Sequence, residues 1–200
     1  MKHNLLHMTD YLMYNKLFGC PEIRSLWSEE AILQQWCDFE SYLAQAQADL
    51  GMIPKEIADE ISRTASIDLI GADKVAEQYA SCTLNTVALF RAWKPLCKGQ
   101  AGEFIHYGAT SQDVLDTTLA YRLKKSLDIW EKDLEEILSV LLKLADKHRH
   151  DIMAGITHGQ HAIPVTFGFV VATWAQTIRE HLERLRFARP RIGTGTVSGA

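Results

Sequence analysis

The 200-residue sequence lacks several features that mark whole classes of protein. No apolar run approaches the ~18 residues that a membrane-spanning helix needs, and residues 1–4 show no apolar signal core. A basic excess is also absent, since 21 Lys and Arg face 25 Asp and Glu for a formal net charge of -4. Such a surface does not attract nucleic acid. These absences predict a cytoplasmic protein that binds neither membranes nor nucleic acid.

Cysteine is scarce, and its spacing excludes the usual cysteine chemistry. The four cysteines are far apart and form no C-x-x-C pair, and Cys37 and Cys82 lie among apolar positions of helical segments. This spacing predicts reduced, partly buried thiols and neither a disulfide framework nor a metal site. The cysteines are Cys20, Cys37, Cys82 and Cys97.

The first regular pattern is a helix that begins near residue 28. Residues 1–27 are aromatic-rich and irregular, after which Ser28 can cap a helix with acidic residues in its first turn. Gly51 is placed to end this helix. Apolar residues follow at steps of three and four, which indicates one helical stripe. The stripe consists of Ile32, Trp36, Phe39, Leu43, Ala46 and Leu50.

Shorter helices are predicted between this helix and residue 104. Pro54 is well placed as the first residue of a short helix, and Gly71 marks a turn. Apolar positions from Val75 to Trp93 indicate one or two further helices. We therefore expect residues 1–104 to form a small helical N-terminal domain.

Two longer helices are predicted in residues 105–200. From about Val114 to His148, leucines and other apolar residues repeat with a seven-residue period, and at ~1.5 Å per residue this helix spans about 50 Å. A further helix is predicted from about Phe167 to Ala188. Two antiparallel helices cannot cover each other's apolar stripes, so we expect further helices or other subunits to cover them. The sequence thus predicts an all-α fold, and its Gly/Thr-rich tail predicts that the chain is the front part of a longer protein.

Two polar, glycine-containing segments precede the long helices. In the first, residues 106–113, the side chains of Thr110, Ser111 and Gln112 come just before or at a predicted helix start. Backbone N–H groups and a partial positive charge at such a start can hold a carboxylate. His106 adds an imidazole, which can donate or accept a hydrogen bond. The alternative is that Thr110 or Ser111 only caps the helix, and capping and anion binding can coexist.

The second segment, residues 155–164, carries two histidines. His158 and His161, with Thr157 and Gln160, can serve as acid, base or hydrogen-bond donor. A two-ligand metal site is disfavoured, because no carboxylate or cysteine is close in sequence and a glycine interrupts any helical H-x-x-H face. The other alternative is a buried, hydrogen-bonded structural histidine.

Both segments resemble one known group of enzymes. Residues 106–117 (HYGATSQDVLDT) and 153–174 (MAGITHGQHAIPVTFGFVVATW) are similar to motifs of the fumarase/aspartase superfamily, in the branch that holds adenylosuccinate lyase and 3-carboxy-cis,cis-muconate cycloisomerase. Residues 27–30 and 39–54 are similar to the family's first helix and following turn. The resemblance covers nearly the whole chain.

The resemblance implies a fold, an assembly and a reaction. The fold is an all-helical protomer of three domains, whose central long helices form a bundle in a homotetramer with each active site built from three subunits. Residues 105–200 would be the first part of that central bundle domain. The reaction is an adenylosuccinate lyase-like carbon–nitrogen elimination that gives fumarate, in purine nucleotide biosynthesis, and it needs no metal or organic cofactor. The alternatives are a 3-carboxy-cis,cis-muconate cycloisomerase-like enzyme, a lyase for another substituted succinate, and a catalytically silent helical assembly module.

Positions that match the family motifs inherit expected roles. His158 would be the general acid, while Thr157, Thr110 and Ser111 would hold substrate carboxylates. His106 would lie near the substrate, which in adenylosuccinate lyases means near the phosphate. The second-rank substrate-binding candidates are Gln112 and Gln160.

The sequence departs from the family pattern in four places. Ile156 replaces a common arginine, and Asn85 stands where adenylosuccinate lyases often have a second catalytic histidine. Residues 17–19 read Leu-Phe-Gly in place of a phosphate-contacting Arg-Tyr. The loop of the type S-S-x-M-P-x-K-x-N, which supplies the catalytic base, is absent from these residues. We therefore expect the 200 residues alone to be inactive.

Overall fold

The chain is described by a computed structural model that covers residues 11, 13, 14 and 17–199. Most of residues 1–16 lie outside the described residues, so the prediction that residues 1–27 are irregular stays a prediction there. It is wrong for Pro21–Leu26, which form a short helix with Pro21 in its first turn. The described residues divide into two compact units, the first running to Leu123 and including the tail from Thr194, and the second spanning Lys124–Gly193. The predicted domain boundary at residue 104 stays a prediction.

The all-α class is confirmed, with one small exception in the second unit. Six helices are described in the first part of the chain, and a long helix, α7 (Ser111–Lys147), passes from the first unit into the second. Short 3₁₀ turns cover Lys94–Leu96 and Ala101–Phe104. The six helices are α1 (Pro21–Leu26), α2 (Glu29–Asp49), α3 (Lys55–Thr64), α4 (Ile67–Ile70), α5 (Ala72–Cys82) and α6 (Asn85–Trp93).

Helix α2 begins and ends where local chemistry predicts. The Ser28 hydroxyl accepts a hydrogen bond from the Ala31 N–H at 3.2 Å, which satisfies one of the free donors of the first turn. Gly51 follows the helix with φ +72°, a conformation that costs a glycine little. The buried face differs from the predicted stripe, because Leu50 is exposed and two polar residues, Glu40 and Gln47, are buried.

The core of the first unit surrounds Trp93 at the end of α6. This side chain is fully buried, and its indole N–H donates to the Thr64 hydroxyl of α3 at 2.8 Å. The break between α5 and α6 falls at Thr83, which is left-handed with φ +56°. The other large, fully buried apolar side chains of this core include Ile61, Ile70, Leu89 and Val114.

Cys37 lies in this core as a free thiol, as the other three cysteines are also free. Burial, and after it the nearby carboxyls of Asp38 and Glu40, together raise the pKa of the Cys37 thiol to about 12. We expect Cys37 to resist iodoacetamide in the folded protein at pH 8 while the partly exposed Cys20 reacts, as read by peptide mass spectrometry. In denaturant both should react alike, and rapid labelling of folded Cys37 would contradict the buried-thiol assignment.

The second unit holds the end of α7, a β-hairpin and helix α8 (Phe167–Ile192). Strands β1 (Ile152–Thr157) and β2 (Gln160–Thr166) pair antiparallel. This hairpin was not predicted, because the polar residues 155–164 indicated a connection between two helices. Within the described part of the chain, no helix is both long enough and apolar enough to cross a membrane.

Ion pairs between α7 and α8, and close packing of the start of α8 against the end of α7, stabilise the second unit. Arg186 of α8 donates to Glu131 of α7 at 2.7 Å, and Arg189 of α8 also pairs with Glu131. At the start of α8, a Cβ on Gly168 would lie 2.5 Å from the Ala145 carbonyl oxygen, so glycine is what allows α8 to begin against the end of α7. The N–H groups of Phe167 and Gly168 donate to the Asp151 and His148 carbonyls, both at 2.9 Å, which anchors the base of the hairpin, and its tip is exposed.

Candidate active site

The first polar segment forms a constrained loop between the Ala101–Phe104 turn and α7. His106 and Gly108 are both left-handed, with φ +70° and +71°. For histidine this conformation is uncommon and strained, so surrounding contacts must hold it. One such contact joins His106 Nδ1 to the buried Glu40 Oε1 at 2.7 Å, and the Phe90 ring lies 4.6 Å from the imidazole.

The start of α7 is capped by a carboxylate. The backbone N–H of Thr110 donates to Asp113 Oδ2 at 2.9 Å, and the Asp113 N–H donates to the Thr110 carbonyl at the same distance. The bond from the Thr110 N–H to the Asp113 side chain matches one half of a capping box. The acceptor for the Thr110 N–H is thus Asp113, and the Thr110 side chain is exposed.

Ser111 is half-buried and contacts the start of α6. Its hydroxyl lies 2.6 Å from that of Thr86, which is itself buried. Thr86 follows Asn85, the first residue of α6. The segment in which the family often carries its second catalytic histidine therefore lies next to the candidate carboxylate-binding loop.

Gln112 has a separate, exposed position. Its side-chain amide donates to Asp116 at 2.6 Å, one helical turn further along α7. This contact directs the amide along the helix surface, and a substrate-binding role for Gln112 stays a prediction.

The tail of the chain returns to the same loop through Asp113, which is 1% exposed. Its carboxylate accepts hydrogen bonds from the Ser198 N–H at 3.0 Å, the Ser198 hydroxyl at 3.1 Å and the Gly199 N–H at 3.1 Å. The N–H groups of Thr110 and then Ser198 are the largest causes that hold the pKa of Asp113 below its usual range. A Cβ on Gly199 would lie 2.3 Å from the Ala109 carbonyl carbon.

A second contact continues this docking. The Thr117 hydroxyl donates to the Thr196 carbonyl at 3.1 Å and accepts from the Thr196 N–H at 3.0 Å. Residues 196–199 therefore pack along the first turns of α7 and help to hold the loop in place. No sequence pattern predicted these contacts between Asp113 and the tail.

His158 occupies the tip of the hairpin in the second unit. The two loop residues, His158 and Gly159, have φ +48° and +70°. Positive φ at both positions is what a type I′ turn requires, and this turn matches the twist of paired strands. Thr157 and Gln160 flank the tip as a register pair. Neither His158 nor His161 is buried, so the structural-histidine alternative does not apply to this chain.

The candidate residues thus fall into two groups. His106, Thr110, Ser111 and Gln112 lie on or beside one loop of the first unit, and Thr157, His158 and Gln160 lie at the hairpin tip of the second. Sequence reasoning missed the groups that support the loop. These are Glu40, Gln47, Thr86 and Asp113, of which the two on α2 could have been found as polar residues on an otherwise apolar helical face.

Known proteins match this chain along nearly its whole length. A family model described as Lyase matches residues 19–200. The adenylosuccinate lyase of Methanocaldococcus jannaschii is 42% identical over 195 residues, which are 98% of this chain and 41% of that protein. The N-acetyl-S-(2-succino)cysteine lyase of Dickeya dadantii is 38% identical over 97% of this chain and 42% of that protein. The chain therefore spans about two-fifths of the length of these curated relatives.

A solved structure shows the same fold. The 3-carboxy-cis,cis-muconate lactonizing enzyme from Pseudomonas putida superposes with a TM-score of 0.90 and 30% identity, over 95% of this chain and 44% of that one. Family, relatives and fold agree with the motifs of the two polar segments. The chain accordingly belongs to the fumarase/aspartase superfamily of lyases, in the branch that holds adenylosuccinate lyase and 3-carboxy-cis,cis-muconate cycloisomerase.

Proposed function

We propose that the protein containing this chain eliminates fumarate from a succinyl-amino substrate, as an adenylosuccinate lyase-like carbon–nitrogen lyase of purine nucleotide biosynthesis. The observation that carries the proposal is the identity of 42% to an adenylosuccinate lyase over 98% of this chain. The adenylosuccinate lyase of Methanothermobacter thermautotrophicus, 41% identical over 92% of this chain, adds support. We place the protein in the cytoplasm.

His158 is suited to protonate the departing nitrogen. It is exposed at the tip of a two-residue turn whose strands restrict its backbone, so its position depends little on other side chains. A histidine can carry a transferable proton near neutral pH. Thr157, adjacent and also exposed, can donate its hydroxyl hydrogen to a substrate carboxylate.

The loop before α7 is suited to the carboxylate side of the reaction. Removing a proton next to a carboxylate places charge on that carboxylate, and fixed donors that meet this charge lower the barrier. The Ser111 hydroxyl is held 2.6 Å from that of Thr86 and the Thr110 hydroxyl is exposed beside it, so both are candidate donors, and the N-terminus of α7 adds a partial positive charge. The Asp113 carboxylate is satisfied by its own hydrogen bonds to the tail, which keep it turned toward residues 198–199.

We further propose a homotetramer with shared active sites. In the second unit, α7 and α8 present several large apolar side chains to the exterior, which is the surface expected of helices that pack against other helices or subunits. The exposed residues are Trp130, Ile137, Val140, Leu142, Phe169, Trp174 and Phe187.

A second candidate is elimination from a succinylated thiol. Two N-acetyl-S-(2-succino)cysteine lyases, from Dickeya dadantii and Enterococcus italicus, are 38% and 37% identical over 97% of this chain. Ile156, 65% exposed beside the hairpin tip, gives that edge an apolar side chain where the family often has a cation. An apolar edge favours a less charged leaving group than a nucleotide.

The deciding experiment measures fumarate release by the full-length protein on adenylosuccinate and on N-acetyl-S-(2-succino)cysteine, with 3-carboxymuconate turnover measured in parallel. We expect the highest kcat/KM on adenylosuccinate. Preference for the thioether would replace the leading proposal by the second candidate, and turnover of the muconate alone would assign cycloisomerase chemistry. Silence on all three would favour an assembly module without catalysis.

A further inference from the structure

Two polar side chains on α2 are buried and both reach the His106 loop. Glu40 is 1% exposed and Gln47 is 6% exposed. They are two helical turns apart, so they lie on one face of the helix. Glu40 Oε1 lies 2.7 Å from His106 Nδ1, and the Gln47 side-chain amide donates to the Tyr107 carbonyl at 2.6 Å. One helix face therefore holds two successive residues of the loop.

Glu40 is an expensive residue for packing alone. A buried carboxylate is unfavourable unless it is paired, and apolar residues of similar volume often serve a core as well or better. The second oxygen of Glu40, Oε2, is buried with no hydrogen-bond partner among the described residues. Its first oxygen contacts His106. Contact with His106 is therefore the polar interaction that explains a carboxylate at this buried position.

The His106 ring is held on more than one side. Its backbone is left-handed, the Phe90 ring lies 4.6 Å away, and its Nδ1 is directed at Glu40. When Nδ1 carries the proton that Glu40 accepts, Nε2 is the nitrogen left for another group. In the described part of the chain, the structure shows no partner for Nε2. The imidazole side chain remains 18% exposed.

We propose that Glu40 is a positioning residue, which fixes the tautomer and orientation of His106 so that Nε2 is presented to the substrate, while Gln47 fixes the neighbouring peptide. The proposal rests on the proposed function for the identity of the substrate. The residue that sets the tautomer and orientation of His106 then lies on α2, sixty-six residues away in sequence. Carboxylate partners fix ligand histidines in the same way in metal sites.

The kinetic test is made in the full-length protein with three single variants, Glu40→Gln, Glu40→Leu and His106→Asn. Each of the two Glu40 changes is also combined with His106→Asn. Glutamine keeps the acceptor oxygen and loses the charge, whereas leucine loses both. We expect KM to rise about threefold in Glu40→Gln and about tenfold in Glu40→Leu, the range of one hydrogen bond between neutral groups, with kcat within about twofold. In the His106→Asn background the same changes should leave KM within about twofold.

The control is Glu30→Gln, an exposed acid on the same helix, which should leave both constants unchanged. If the Glu40 changes raise KM by equal factors with and without His106, Glu40 supports the scaffold only and the proposal is overturned. The same conclusion follows if Glu40→Gln, which keeps shape and acceptor, changes kcat and leaves KM unaltered.

A second measurement does not depend on turnover. Nitrogen-15 NMR of histidine-labelled protein, assigned by the signal lost in His106→Asn, reports which ring nitrogen carries the proton. We expect the Nδ1–H form in the unmodified protein and a shift toward Nε2–H in Glu40→Leu. If no tested substrate turns over, the proposed function is wrong, but this spectrum still tests whether Glu40 sets the tautomer of His106. An unchanged His106 signal in Glu40→Leu would overturn the proposal.

Discussion

Replacing His158 with alanine in the full-length protein is expected to lower kcat for fumarate release by about 10²–10⁴-fold, the usual contribution of a positioned general acid. The imidazole is exposed at the hairpin tip, so its removal uncovers no buried core. The loss should therefore come from chemistry with the fold intact. Steady-state assays of fumarate release measure kcat, and far-UV circular dichroism checks that the variant is folded.

Two variants make this result specific. His158→Asn addresses the backbone, because asparagine tolerates the left-handed conformation of residue 158 better than alanine does. It should lose as much activity as alanine. His150→Ala removes an exposed histidine that accepts a hydrogen bond from the neighbouring Arg149. The kcat of this variant should match that of the unmodified protein. A normal rate in both residue-158 variants would remove His158 from the mechanism.

Replacing Trp93 with alanine is expected to destabilise the protein by about 3–5 kcal/mol, among the largest costs for a core substitution. The side chain is fully buried at the centre of the first unit, so its loss leaves a cavity that the surrounding helices can only partly close. The indole N–H to the Thr64 hydroxyl is lost as well, which leaves a buried hydroxyl with fewer partners. Urea unfolding followed by circular dichroism measures the loss.

Trp93→Phe separates the two causes. Phenylalanine refills most of the cavity and lacks the N–H donor, so the expected loss is smaller, about 1–3 kcal/mol. Tyr79→Ala truncates a side chain of α5 that is 45% exposed and should cost less than either. A Trp93→Ala loss below about 1 kcal/mol would mean that residue 93 is not at the centre of the core.

Local signals in the sequence were enough to place most helices. Ser28 begins α2 because its hydroxyl satisfies a local N–H, and Gly51 ends it because glycine takes positive φ cheaply. The long helix, predicted from about residue 114 to 148, runs Ser111–Lys147. Each of these features depends on residues within one or two turns, so a sequence pattern can identify it.

The hairpin shows where local signals were insufficient. His158-Gly159 forms its turn, but the common sequence signals for such turns are Asn-Gly and Asp-Gly, so the pair was interpreted as part of a polar loop. A bulge between Ala154 and Ile156 also interrupts the pairing. There Gly155 allows close strand approach, since a Cβ would lie 2.6 Å from the Ile163 carbonyl oxygen.

The sequence by itself determined the helical class and the family, and it supplied the candidate side chains for the proposed chemistry, because caps, apolar periodicity and motif residues act over short separations. Tertiary structure decided what surrounds that chemistry. Glu40 meets His106, Thr86 meets Ser111, and Asp113 meets Ser198. The partners of each pair are 66, 25 and 85 residues apart. No periodic pattern connects such distant positions, because a buried polar group finds its partner only when the packing of several helices brings the two together.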